Sequence, residues 1–317
     1  MMGINREGYM KKAKDSSGEG RGLFLAVLAA AALGLEGISA KLAYAGGANI
    51  LSILAIRFLA AGILFWGSLI VFPLDWKLNL GTMVRLTVLA LGGQATTILL
   101  LFHAFERIPA TVAMLFFYLY PVIVSLLATV FLKETLTRAK IGALVLAFTG
   151  LAVILGVPTG NLEIWGIVTA LLAACTNGIY MVGQTGLLKT IEPRVFNAYA
   201  TLTIGVAYFI LAIVTGTFSL AFNSQAILAI ATLSLICTLL AYTAVAWSLK
   251  YIGASRAAII STLEPVVTAV LGFLILGERL HPIQLLGGAL ILAGVTVQQV
   301  LTSKDGGEGH GYGIIKQ

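Results

Sequence analysis

Most of the chain is taken up by ten continuous apolar runs, each roughly 18 to 25 residues long, joined by loops too short to fold on their own. As an α-helix, each run is long enough to cross a hydrocarbon core about 30 Å thick. None shows the two-residue alternation that a membrane barrel requires, so strands are excluded. A helix satisfies its own backbone hydrogen bonds in lipid, and the runs therefore predict an all-α integral membrane protein with ten transmembrane helices. Composition agrees: 59% of residues are hydrophobic and 10% charged, and a globule in water would have nowhere to place that apolar surface.

The spans are expected near Gly22–Tyr44, Ile50–Phe72, Leu86–Phe105, Ile108–Phe131, Ala139–Gly156, Glu163–Leu188, Val195–Gly216, Ala226–Leu249, Ile252–Leu276 and Pro282–Leu301. A polar head (1–21) and a glycine-rich tail (302–317) remain, both expected to be mobile. The head resembles a secretory signal, with basic residues before an apolar run. That run, however, continues past 20 residues and opens a repeat, so it reads as an uncleaved first helix.

The chain is written twice. Shifted by 144 residues without a gap, Ile108 falls on Ile252, Ala110 on Ala254, Ala113 on Ala257, Pro121 on Pro265, Glu134 on Glu278, Leu136 on Leu280 and Gly150 on Gly294. The same offset places Ala26, Leu28, Ala29, Ala30 and Gly34 on Ala170, Leu172, Ala173, Ala174 and Gly178. The repeat is thus five helices long, 22–156 and then 157–301. An odd number of crossings turns the second copy upside down, which predicts two inverted repeats about a pseudo-twofold axis in the membrane plane. Secondary transporters are built this way, because two such halves can exchange shapes around one central site.

Charge predicts orientation. With the amino terminus inside, sixteen of the 20 Lys and Arg residues fall in cytoplasmic segments and only Arg107 and Arg279 in outer loops. This positive-inside bias predicts cytoplasmic termini in a multi-pass protein of the cytoplasmic (inner) membrane. The net charge of +7 thus reports topology, and no nucleic-acid partner is expected.

These features resemble the ten-helix EamA-type branch of the drug/metabolite transporter superfamily. The resemblance rests on Lys41 in helix 1, Arg57-Phe58 in helix 2, the Ala104 to Ala113 junction, and two matched blocks: Tyr120-Pro121 with Lys133-Glu134-Thr135-Leu136, and Leu263-Glu264-Pro265 with Gly277-Glu278-Arg279-Leu280. It implies a basket of helices 1 to 4 and 6 to 9 around a central cavity, with helices 5 and 10 at the periphery, exporting or exchanging small metabolites. Where many relatives have tryptophan-glycine in helix 1, this chain reads Leu35-Glu36-Gly37.

Polar residues inside the apolar runs are the candidate site. Pro121 and Pro265 lack an amide hydrogen, which frees the carbonyls of Phe117 and Ser261. Each bend is either an ordinary kink or a hinge that shapes the cavity. Glu264, central in helix 9, costs about 3 kcal/mol to insert as an ion, so it should face the cavity or carry a proton. Its repeat counterpart, Tyr120, is uncharged. Glu36, Lys41, Arg57 and His103 fall in the outer half of their helices, either as a mutual ion-pair network or with Arg57 free to hold a solute carboxylate. Gln94, Thr96, Tyr118, Tyr120, Asn177, Tyr180, Tyr242 and Ser261 lie near the midplane, where they suit a small amphipathic solute or tie helices together. Glu134 and Glu278 are expected to cap the helices that follow them, numbers 5 and 10.

Enzyme chemistry finds no support in the motifs. Three histidines and two cysteines are scattered, no metal-ligand spacing appears, and no Walker loop, HExxH or GxSxG occurs. The expected function is a cofactor-free secondary transporter of amino acids or related amphipathic solutes, with protons as a coupling ion at Glu264. A passive channel or a non-transporting membrane partner is the alternative.

Overall fold

A computed structural model of the chain describes residues 6–72, 74–120, 122–123, 138–155, 163–188 and 190–309; side chains of 6–18, 253–259 and 301–309 are among those left aside. The described residues are helical, with no strand among them. The first half contains α1 (Arg6–Gly34), α2 (Glu36–Ala45), α3 (Ile50–Val71), α4 (Leu80–Leu89), α5 (Thr96–Arg107), α6 (Ala110–Phe117) and α7 (Arg138–Leu155). The second contains α8 (Ile164–Leu187), α9 (Pro193–Val214), α10 (Ser224–Ser234), α11 (Ala241–Ser261), α12 (Leu263–Leu276) and α13 (Pro282–Gly309). Two π-helical segments, Ala90–Ala95 and Leu235–Leu240, interrupt the third and eighth spans.

Helix starts follow local chemistry. Asn49, Asn79 and Asn223 each accept the amide three residues on, that of Ser52, Thr82 and Ala226. Pro193 opens α9, where its missing N–H costs nothing.

Six helical stretches are long and apolar enough to cross a membrane, and they coincide with the expected spans 1, 2, 3, 6, 7 and 8. The shorter apolar helices Leu263–Leu276 and Pro282–Val297 correspond to spans 9 and 10. Large apolar side chains such as Ile70, Val214, Leu228 and Leu274 lie exposed along these helices. In water such faces would drive aggregation, whereas in a bilayer they are the lipid contact.

Four boundaries differ from expectation, the first being the third span, which begins at Leu80 and not at Leu86. Helix α1 begins at Arg6, because a helix that has formed in the apolar run propagates cheaply into the polar head. Helix α13 likewise continues to Gly309, into the expected tail. The turn expected between spans 8 and 9 near Lys250 falls within a helical stretch, α11. The chain still reverses there: Gly22 abuts Tyr251 and Ile252, while Gly34 abuts Val267, so α1 and the ninth span run parallel.

The inversion is visible where counterpart helices meet. Gly205 of α9 packs on the backbone of Phe58 and Leu59 in α3, and Gly62 of α3 packs on the backbone of Leu202. As residue numbers rise in one helix they fall in the other, so the second spans of the two repeats are antiparallel. Only glycine permits backbones to come this close. Helix α5 packs on α8 through Thr97 and Thr176, whose hydroxyls are 2.8 Å apart. Gly150 of α7 lies against Gly287 and Ile291 of α13, pairing the two peripheral helices.

Candidate functional site

The deepest charged group is Arg57, fully buried in α3. Its Nη1 donates to Glu36 Oε1 at 2.8 Å and its Nε to Thr238 Oγ1 at 2.8 Å. The guanidinium also lies 5.1 Å and 5.6 Å from the ring centres of Phe58 and Phe102. A guanidinium has five donors in a fixed fork, and this geometry engages only part of the fork. Nη2 is buried with no acceptor among the described residues.

The two π segments position the rest of this centre. In a π turn one carbonyl lacks its usual amide, and here a threonine hydroxyl supplies the missing hydrogen: Thr238 Oγ1 donates to Leu233 O, and Thr96 Oγ1 to Leu91 O. Thr238 and Gln94 are counterparts under the 144-residue offset, one in each π segment. One turn beyond Thr238, Tyr242 accepts a 3.0 Å hydrogen bond from Gln94 Nε2. Gln94 Oε1 is buried with no donor among the described residues. Tyr180, the counterpart of Glu36, lies directly on Gly93, and Asn177 is buried on the same helix one turn away.

A second cluster occupies the breaks in the fourth and ninth spans. Helix α6 ends at Phe117 and α11 at Ser261; Tyr118 and Thr262, again 144 residues apart, are the residues at the breaks. Pro265 is the third residue of α12, where no amide is needed. The carbonyl it leaves free, that of Ser261, accepts the hydroxyl of Tyr118. The same hydroxyl is 2.9 Å from Glu264 Oε2, and Glu264 is buried. Tyr120 stacks edge-on against Tyr118 at 5.7 Å. Thr268 Oγ1 reaches the carbonyls of both Glu264 and Gly34, tying this break to the one before Glu36. Pro121 lies outside the described residues.

His103 stands apart from the buried centre. It pairs with Arg107 and Glu106 at the end of the bundle, where Arg107 also reaches Glu163 at 3.3 Å. These residues border a cavity of about 480 Å³ lined by His103, Arg107, Glu163, Trp165 and Thr169. Lys41 is half-buried in α2, and the ion pair of this region is between Glu36 and Arg57. Glu278 itself does not cap the helix that follows it. Its carboxylate accepts the amides of Ala110 (2.7 Å) and Thr111 (3.2 Å) and the hydroxyl of Thr111 (2.9 Å), which caps α6 in the opposite repeat. The expected cap on the next helix loses because Gly277, at φ +67°, turns the chain back over its own helix end. Glu134 lies outside the described residues. Sequence reasoning missed Thr238 and Thr111, although the offset from Gln94 pointed to the first.

No group of His, Cys, Asp and Glu among the described residues could hold a metal ion. The arrangement is a buried polar centre, built on the Glu36–Arg57 ion pair and flanked by two broken helices.

Comparison with known proteins agrees with this architecture. A crystal structure of a protein 19% identical in sequence superposes with a TM-score of 0.62, covering 91% of this chain and 98% of its own. At that identity the likeness is one of fold. The uncharacterized transporter YxxF of Bacillus subtilis is 28% identical over 208 residues, which are 63% of this chain and 65% of that protein. An uncharacterized transporter of Archaeoglobus fulgidus is 28% identical over 256 residues, 79% of this chain and 87% of its own length. The chain thus spans just under two thirds of the Bacillus protein and most of the archaeal one. Residues 20–156 and 164–298, one stretch in each repeat, match the same family description, and the chain belongs to the EamA-like transporter family.

Proposed function

We propose that this protein is a secondary transporter that exports or exchanges small zwitterionic solutes, amino acids among them, across the cytoplasmic membrane by alternating access. The observation that carries the reading is a pair of buried atoms without partners among the described residues, Arg57 Nη2 and Gln94 Oε1. One is a charged donor and the other an acceptor. They are bound to residues one helical turn apart, Thr238 and Tyr242. An unpaired buried polar group costs about 1–3 kcal/mol, a cost that a ligand removes on binding. A solute carboxylate would complete the Arg57 fork and its ammonium would reach Gln94, while the Tyr180 and Tyr242 rings accept apolar surface.

Proton coupling rests on a count of hydrogens. The Tyr118 hydroxyl has one proton and two oxygen neighbours, the Ser261 carbonyl and Glu264 Oε2. Both contacts are hydrogen bonds at once only when Glu264 is protonated and donates to the phenol oxygen. An ionised Glu264 must compete for the tyrosine proton, so loss of its proton loosens the tie between the two helix breaks. In the orientation given by the positive charges, both termini are cytoplasmic and Glu106, Glu163 and Glu278 face outward.

Counterflow in proteoliposomes tests the reading. Vesicles loaded with unlabelled amino acids should accumulate a labelled one transiently, with saturation. Linear flux would establish a pore instead, and no flux across an amino-acid panel would leave a non-transporting partner.

A further inference from the structure

Helices α5 and α8 meet along a seam marked by the Thr97–Thr176 contact. Phe102 and Asn177, both buried, lie on the side of the Arg57 centre. On the other side, Trp165, Leu172 and Ile179 follow one another at seven-residue intervals, and they are 63%, 48% and 59% exposed. Seven residues are close to two full turns, so the three form one stripe along α8. A stripe of large apolar side chains this open faces lipid. The cavity of about 480 Å³ lies at the end of this seam, with Trp165 in its lining.

Its depth matches the headgroup layer of a bilayer. Arg107 is the last residue of α5 and Glu163 immediately precedes α8, so both stand at span ends. His103 and Thr169 lie four and six residues further in, about 6 and 9 Å at the helical rise. The polar layer on each side of a bilayer is about 5–8 Å thick. The cavity thus reaches from the water to the first apolar carbons, and Trp165 takes the place of an interfacial aromatic anchor.

Charge selects the occupant. Two carboxylates share one guanidinium: Arg107 Nη1 reaches Glu106 at 3.0 Å and Nε reaches Glu163 at 3.3 Å. Both acids remain about half exposed, at 47% and 50%, which leaves each open to a further donor. An anionic lipid would have to displace one carboxylate from Arg107 and then face its repulsion. A headgroup that carries an ammonium beside its phosphate supplies the cation that the second carboxylate lacks, while the phosphate approaches the exposed side of Arg107.

We propose that this cavity binds the headgroup of a zwitterionic phospholipid, with the ammonium on Glu163, the phosphate on Arg107 and an acyl chain along the Trp165–Leu172–Ile179 stripe. The site lies across the seam from Arg57 and Gln94 and is separate from the solute centre. It requires neither transport nor a choice of which end of the bundle is outside.

The test takes the full chain, stripped of native lipid in detergent, and adds dioleoyl phosphatidylethanolamine or dioleoyl phosphatidylglycerol. Native mass spectrometry then counts the lipids retained. The ethanolamine lipid should be retained roughly two- to fivefold more, the range for a half-exposed ion pair. Glu163→Gln should erase that preference. Glu192→Gln removes an exposed acid that is likewise paired with an arginine, Arg194, but precedes α9 at the other end of the bundle, and it should leave the preference intact. Should the Glu163 variant not fold, Thr169→Phe keeps every charge and fills the cavity, and it should lower retention of the ethanolamine lipid. Equal retention of the two lipids by the wild type, stronger retention of the glycerol lipid, or an unchanged preference in Glu163→Gln overturns the site. Displacement of bound lipid by an equal concentration of soluble phosphoethanolamine overturns the membrane as the source of the ligand.

Discussion

Removing the charge of Glu36 is the sharpest test of the buried centre. In the Glu36→Gln variant, Arg57 keeps its 2.8 Å bond to Thr238 and its two aromatic neighbours but loses its counter-ion. The glutamine oxygen can still accept from Nη1, so what is lost is the acceptor's charge, in a pair buried on both sides with side-chain exposures of 0% and 8%. Breaking such a pair from one side leaves an uncompensated charge and costs about 3–5 kcal/mol. The cation–π contacts, about 0.5–2 kcal/mol each, and the threonine bond, about 1.5–3 kcal/mol, set the floor that keeps the variant folded. Arg57→Gln should cost a similar amount by stranding Glu36. The double variant should cost markedly less than the sum, because neither charge is then left alone. Unfolding in mixed detergent micelles, followed by circular dichroism for all four proteins, gives the coupling energy. A coupling below about 1 kcal/mol, or single losses below about 1 kcal/mol, would refute the reasoning, since a pair that water reaches behaves in that way.

Gly205→Ala should destabilise the protein by about 1–3 kcal/mol, because the new Cβ would meet the Leu59 backbone nitrogen at 2.5 Å and the helices must separate. Gly67→Ala, with nothing within 4 Å, should be neutral or stabilise by up to about 1 kcal/mol. Melting temperatures in detergent check both, and equal losses would contradict the antiparallel backbone contact of α3 and α9. Net uptake in proteoliposomes should vary with pH in the wild type, whereas Glu264→Gln, which keeps a donor for the Tyr118 oxygen but cannot ionise, should flatten that response and preserve solute exchange. A full pH response in the glutamine variant would remove Glu264 from coupling.

The large features were legible because each follows from a single physical demand. Apolar runs long enough to span lipid must be helices, and a five-helix repeat must invert, as the packing of Gly205 on Leu59 and Gly62 on Leu202 shows. Glu36 and Arg57 were legible as ionic residues at similar depth, since lipid leaves them few other partners. The π segments were not, because a helix that is apolar on all sides has no periodicity for an extra residue to disturb. Thr238 was therefore hidden within an ordinary apolar run. The target of Glu278 was hidden for another reason. Sequence favours the nearest free amides, and those of α6 are 168 and 167 residues away. His103 was grouped with Arg57 by depth along its helix, but depth says nothing about which face a residue occupies, and it lies with Arg107.

The two π segments also record the order of events in the history of the chain. A π turn accommodates one more residue than an α turn, and so marks where a helix gained one. Both repeats carry the gain within one residue of the same register, with Gln94 and Thr238 in matched places and no gap in the 144-residue alignment. Two separate insertions at equivalent points would be needed if the halves had already parted. A single insertion in an ancestral five-helix unit, copied with the rest, accounts for both. The bulge is then older than the duplication, whereas the hydroxyls that bond across it, on Thr96 and Thr238, are not counterparts, and Glu36, Arg57 and Glu264 likewise mark where the two halves have diverged since.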